Sequence, residues 1–192
     1  MGYRWDMILQ LIERLTREAS SQGLDFLLIG GQAVIHHGYV RMTLDLDLLA
    51  RESQRAAWRT LLEKINYQSY AEATAFIQFV SRIPGEFPVD IMFVLDETWA
   101  KLRADAVSKS SGQVEVLIPS APHLVALKLF ATKSPTRRSP GKDWTDIEEI
   151  IRRHKLDPGD QKFADLIRRY GGEEALAKIR QMWNAGAKES KE

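Results

Sequence analysis

GGQAVIHHGYVRMTLDLDLLA, the stretch from Gly30 to Ala50, decides how this 192-residue chain is read. It joins a glycine pair, at the end of an apolar run, to Asp45 and Asp47, which are set one residue apart between leucines. On a strand, side chains at i and i+2 leave the same face. Asp45 and Asp47 are therefore expected to point one way, and Leu44, Leu46 and Leu48 the other, toward a core. Two anions at that range repel by about 1 kcal/mol in water, and by more where solvent is excluded. A cation is the usual remedy.

The composition narrows what such a site can be. Hydrophobic residues make up 44% of the chain and charged residues 28%, a balance that suits a globular protein with one sizeable core. There is no cysteine, so disulfides and thiolate metal sites are excluded and a metal must be held by oxygen or imidazole. No apolar run is long enough to span a bilayer, and Asp6 interrupts the N-terminal apolar stretch where a signal peptide would be uncharged. A cytoplasmic location without membrane contact is expected. The net charge of +1 conceals an asymmetry: residues 1–127 carry 12 Lys and Arg against 15 Asp and Glu, and residues 128–192 carry 15 against 11. The basic back part could meet phosphate backbones, though a solvated helical surface accounts for the same charges.

Outward from the central stretch, residues 3–21 have apolar positions at helical spacing (Trp5, Ile8, Leu9, Ile12, Leu15), with Gly23 as a stop. Asp25–Ile29 reads as a short buried strand, 32–37 as a short helix and Arg41–Leu49 as a second strand. Ser53–Ile65 reads as a helix capped by Ser53, with Ala57, Trp58, Leu61 and Leu62 on its apolar face. Ala75–Val80 and Phe87–Leu95 read as an antiparallel strand pair joined across Ile83-Pro-Gly-Glu86. A helix over 98–107 and a strand over 113–118 follow. Ser120-Ala-Pro122 opens a further helix to about Thr132. Residues 134–141 form a basic loop, and helices are expected over 142–154, 160–170 and 172–184. Strands mixed with helices, then helices alone, predict an α+β fold: a mixed-sheet core with helices on one side over 1–120, a helical segment packed on it over 121–185, and a flexible tail over 186–192.

A pair of carboxylates invites a third. Asp90, in Phe87-Pro-Val-Asp-Ile-Met-Phe93, is a charge in an apolar run and is costly without a partner. If its strand lies beside that of Asp45 and Asp47, three carboxylates meet. Mg²⁺ takes such a set, completed by waters and substrate phosphates. The Gly30-Gly31 turn opening a helix then offers backbone N–H groups to phosphate, with no Cβ to block the approach. Other phosphate motifs fail: there is no GxxxxGK[ST], GGQAVIHHG does not fit GxGxxG, and apolar Leu46, Leu48 and Leu49 spoil an EF-hand loop. His36 and His37 are adjacent and so leave a helix in different directions, which disfavours a shared metal.

Gly30-Gly31, then Arg41-Met-Thr43-Leu-Asp45-Leu-Asp47, then Val89-Asp90-Ile91 resembles the DNA polymerase β-type nucleotidyltransferase superfamily. With Leu127-Lys128 and Lys142-Asp143-Trp-Thr-Asp146 added, the chain is similar to the AbiEii-type nucleotidyltransferases of bacterial toxin–antitoxin systems. The resemblance implies a nucleoside triphosphate as substrate and two Mg²⁺ ions held by Asp45, Asp47 and Asp90, with Asp90 also helping to deprotonate an acceptor hydroxyl. It implies that Gly30 and Gly31 hold the triphosphate and that Arg41 and Thr43 lie beside it. Lys128 would contact phosphate, with Lys142, Asp143 and Asp146 completing the nucleotide site; snorkelling of Lys128 to solvent is the competing reading. The expected activity is transfer of a nucleoside monophosphate to a hydroxyl on an RNA end, a protein or a small molecule, and the resemblance implies a toxin–antitoxin setting with an antitoxin partner. The alternative is a catalytically idle fold that binds a nucleotide, an RNA or a partner protein.

Overall fold

A computed structural model describes residues 2–133 and 140–189. The chain divides into two compact units: residues 1–36 with 41–119, and residues 37–40 with 120–192.

The first unit opens with helix α1 (Gly2–Ser21), which buries Ile8, Leu11, Ile12, Leu15 and Ala19. Trp5, expected on that apolar face, is 43% exposed. Strand β1 (Leu27–Leu28) and helix α2 (Gly30–His36) lead to β2 (Leu46–Arg51). Helix α3 (Arg55–Lys64) follows one 3₁₀ turn, then β3 (Tyr67–Ala73), β4 (Phe76–Ser81), β5 (Val89–Val94) and helix α4 (Asp96–Ala104). The five strands lie in the order β1-β2-β5-β4-β3, parallel only between β2 and β5. A separate hairpin pairs β6 (Val107–Ser111) with β7 (Val114–Ile118). Leu46, Leu48, Ile77, Phe79, Val89 and Ile91 are fully buried, so one face of the central strands is committed to the core. Each such side chain contributes about 1.5–3 kcal/mol by leaving water.

The second unit is helical: α5 (Ala121–Thr132), α6 (Pro140–His154), α7 (Gln161–Gly171) and α8 (Glu173–Glu189). Its core gathers Leu124, Val125 and Leu129 with Ile147, Ile150, Phe163, Ile167, Leu176 and Ile179. Asp160 caps α7 by accepting a hydrogen bond from the Phe163 backbone N–H at 2.9 Å. The α+β class, with a mixed sheet and C-terminal helices, is the one the sequence predicts.

Several boundaries differ. The strand expected over 41–49 pairs only from Leu46. Pro88, opposite its start, has no N–H to extend the ladder and accepts from Leu46 N at 3.0 Å instead. Leu44, placed on the core side by the alternation argument, is 56% exposed. Ser53 does not cap α3; its hydroxyl donates to Asp96, and Ala57 is exposed. The helix expected over 98–107 ends at Ala104, and the following segment is strand β6. Helix α8 runs to Glu189, past its expected end at Asn184. Most of the basic loop, residues 134–139, and the last residues of the tail, 190–192, lie outside the described residues.

Candidate active site

The first unit assembles a transverse row of polar side chains across its sheet. In the parallel ladder, Asp47 on β2 lies directly opposite Asp90 on β5. In the neighbouring antiparallel ladder, Asp90 lies opposite Gln78 on β4. Residues opposite one another share a sheet face, so the buried neighbours Leu46 and Leu48, Val89 and Ile91, and Ile77 and Phe79 force all three polar groups onto the other side. There Asp47, Gln78 and Asp90 are each half-buried. The Gln78 amide donates to Asp90 Oδ2 at 2.6 Å.

Asp45 precedes the ladder. Its Oδ1 accepts from the Thr43 hydroxyl at 2.8 Å, which fixes the carboxylate through a local turn rather than through strand alternation. Among the described residues, no three His, Cys, Asp or Glu side chains are grouped to hold a metal ion. The close carboxylate relationship that the ladder defines is that of Asp47 with Asp90.

The glycine pair is tied to the same residues. The Ile29 backbone N–H donates to the Asp47 carbonyl at 2.9 Å, which docks the entry of α2 on β2. Gly30 has φ +58°, and a Cβ there would overlap the Asp47 carboxylate. Gly31 has Thr43 Oγ1 2.6 Å, and Arg41 Nη1 3.1 Å, from the position a Cβ would take. Both glycines are thus required by side chains of this chain: Gly30 by backbone conformation and by Asp47, Gly31 by Thr43 and Arg41. Arg41 is half-buried and donates to the Met42 carbonyl at 3.0 Å.

The remaining sequence-predicted residues lie in the second unit. Lys128 Nζ sits 3.0 Å from Asp143 Oδ1 and 2.7 Å from Asp146 Oδ2. All three are buried, with Lys128 only 5% exposed, so the lysine does not snorkel. Asp143 and Asp146 reach it because i and i+3 share a face of α6. Lys142, one residue earlier, is exposed.

Two features escaped the sequence reading. Gln78 carries no motif, and its role follows only from register; the signal was one polar residue between Ile77 and Phe79. His37, 8% exposed, pairs through Nδ1 with Nε2 of His154 at 3.0 Å within the second unit. Half-buried His36 stays in the first unit, where burial and then the charge of Lys109 lower its pKa.

The family description "Nucleotidyl transferase AbiEii toxin, Type IV TA system" matches residues 13–189. The chain belongs to the AbiEii nucleotidyltransferase family. No curated protein matches it. Among solved structures it is similar to ANT(2″)-Ia in complex with adenylyl-2″-tobramycin, at 18% identity over 91% of this chain and 98% of that one, with TM-score 0.61. An antigenic nucleotidyltransferase-like protein from Paracoccidioides brasiliensis follows, at 18% identity over 90% and 93% of the two chains, with TM-score 0.55. The lincosamide antibiotic adenylyltransferase LnuA, lincomycin-bound, shares 14% identity over 78% of this chain and 96% of its own, with TM-score 0.52. At these identities the likeness is one of fold. No helix among the described residues of this AbiEii-family chain is long and apolar enough to cross a membrane.

Proposed function

We propose that this AbiEii-family protein is a Mg²⁺-dependent nucleotidyltransferase that moves a nucleoside monophosphate from a triphosphate to a hydroxyl acceptor. The observation that carries this reading is the side-by-side placement of Asp47 and Asp90 on adjacent parallel strands, with Asp47 packed against Gly30. Two half-buried carboxylates on one sheet face are an all-oxygen donor set, and Mg²⁺ is characteristically bound by one or two carboxylates together with phosphate oxygens and water. That chemistry fits the residues present.

Asp47 and Asp90 would hold the metal, and Asp45, steadied by Thr43, would add its charge from the end of β2. When bound, divalent cations in such sites stabilise the attacking and departing oxygens of an in-line displacement. Asp90 is placed to accept the proton of the acceptor hydroxyl. Gly30 and Gly31 bring bare backbone close to the triphosphate, and Arg41 supplies a guanidinium for its charge. In the second unit we assign Lys128 to structure rather than to phosphate. The Lys128 ammonium already satisfies two buried carboxylates, so its role with Asp143 and Asp146 is to fix α5 against α6.

The acceptor is proposed as an RNA end, a protein or a small molecule, and the setting as a toxin paired with an antitoxin, in line with the family description. The test is incubation with each α-labelled triphosphate and a whole-cell extract. Label should enter an acceptor with the native protein and Mg²⁺, and should fall to background with Asp47→Ala or Asp90→Ala. Undiminished labelling by either folded variant would discard the reading.

A further inference from the structure

We infer that Gln78 is a positioning residue of the transfer site, acting through Asp90. The inference rests on the nucleotidyltransferase reading above. Gln78 lies opposite Asp90 in the β4–β5 ladder and donates to Asp90 Oδ2 at 2.6 Å, while Asp90 lies opposite Asp47 on its other side. The amide therefore stands at one end of a three-residue row whose other two members are the carboxylates. Its backbone has no freedom to look elsewhere, because Ile77 and Phe79 on either side are fully buried on the reverse face.

The chemistry of the partner matters. A carboxylate that is to bind a cation must have a fixed orientation and keep its charge. A lysine or arginine at position 78 would fix the orientation but neutralise the charge and repel the metal. A hydroxyl on the short side chain of serine would fall short of the carboxylate. A glutamine amide donates one hydrogen bond from across the strand spacing and carries no charge. This chain makes the opposite choice at Lys128, where a buried cation faces two aspartates and their charges are spent internally.

The alternative is an ordinary cross-strand pair, for which replacing Gln78 alters thermal stability alone. Two variants separate the possibilities: Gln78→Met, which keeps the length and removes the donor, and Gln78→Glu, which keeps the shape and replaces the donor with an acceptor. Rates are read as label transfer to extract, with the nucleotide KM resolved from the maximal rate. Metal binding is read independently by titrating Mn²⁺ alone into each protein and following its paramagnetic resonance signal. Gln78→Met should lower the maximal rate about tenfold, leave the nucleotide KM within about twofold, and weaken Mn²⁺ several-fold. Gln78→Glu should lose rate equally but hold Mn²⁺ at least as tightly as the native protein, because it adds charge without restoring orientation. Should Gln78→Met fold poorly, the near-isosteric Gln78→Glu decides alone. Native rates and native Mn²⁺ affinity in both variants, with Asp90→Ala inactive, would overturn the role of Gln78 and leave the transferase reading intact. Normal labelling by Asp90→Ala would instead remove the reading on which it stands.

Discussion

Aspartates gather in the sheet unit and again in the helical unit, and the two groups differ in burial and in the partners seen on them. In the sheet unit, Asp47 and Asp90 stand side by side, half-buried, and Asp45 and Asp90 accept hydrogen bonds from the neutral donors Thr43 and Gln78. In the helical unit, Asp143 and Asp146 are fully buried and close on Lys128. Neutral donors orient negative charge without cancelling it. The buried lysine consumes that charge in place, because carboxylates taken out of water without a partner cost several kcal/mol each. Residue type is the same in both clusters; the difference shown is burial, half-buried on the sheet face and fully buried between the helices.

The sharpest way to break this contrast is to remove one member from each cluster. Lys128→Met leaves two buried carboxylates without their ammonium and should cost about 3–5 kcal/mol, visible as an early urea midpoint. Replacing the whole triad at once, by Lys128→Met, Asp143→Leu and Asp146→Leu together, should recover most of that loss. Asp47→Ala should do the reverse: label transfer falls by about a thousandfold or more, while the urea midpoint moves less than in Lys128→Met, because Asp47 is only half-buried. A severe loss of stability in Asp47→Ala would show that the sheet cluster, too, is structural.

Next in size is Gly30→Ala. Its φ of +58° alone costs a non-glycine residue about 1–2 kcal/mol, and the new methyl group would also displace the Asp47 carboxylate. Both transfer and stability should fall. Gly31→Ala, where φ is ordinary and the side chains of Thr43 and Arg41 have to yield, should be milder in both.

The smallest effects concern pH. Burial raises the pKa of Glu86, but hydrogen bonds from Arg14 and Ser81 outweigh it and hold the carboxyl below its usual range. The Tyr67 hydroxyl nearby is pushed up, chiefly by burial and then by the charge of Glu86. A depressed carboxyl stabilises the fold above its unfolded pKa, and that contribution is lost as pH falls through the folded value. Arg14→Leu should therefore lower the melting temperature at pH 7 by a few degrees, with little difference at about pH 3. His36 has the opposite chemistry and the same sign. Its folded pKa lies below the ordinary imidazole value, so the unfolded chain takes the proton first and stability declines as pH drops from about 7 to 5. His36→Leu should flatten that decline.

How much of this was legible in the sequence follows from what alternation can encode. Asp45, Asp47 and Asp90 announced themselves as charges in apolar runs, and the glycine pair as a turn. The polar strands did not. β3 reads Tyr-Gln-Ser-Tyr-Ala-Glu-Ala with a register shift between Ser69 and Ala71, and β6 reads Val-Ser-Lys-Ser-Ser; neither has an apolar period. Strand partnership is likewise invisible in a single sequence, which is why Gln78 passed unnoticed beside Asp90. Position 44 misled because alternation was extended past Pro88, where the ladder stops. The Lys128 triad was half visible: a lysine among apolar residues was conspicuous, but not that two aspartates one helix on would bury and neutralise it.

One feature of the chain's path constrains how the protein can be dissected. Residues 37–40 belong to the helical unit, although flanked on both sides by the sheet unit. They supply His37 to His154 and the Tyr39 ring to Arg153. Severing the polypeptide once, after Pro119, would carry that tetrapeptide away with the wrong fragment. The excised helices would lose both partners, so a faithful isolated piece has to be spliced from two separate stretches of the gene.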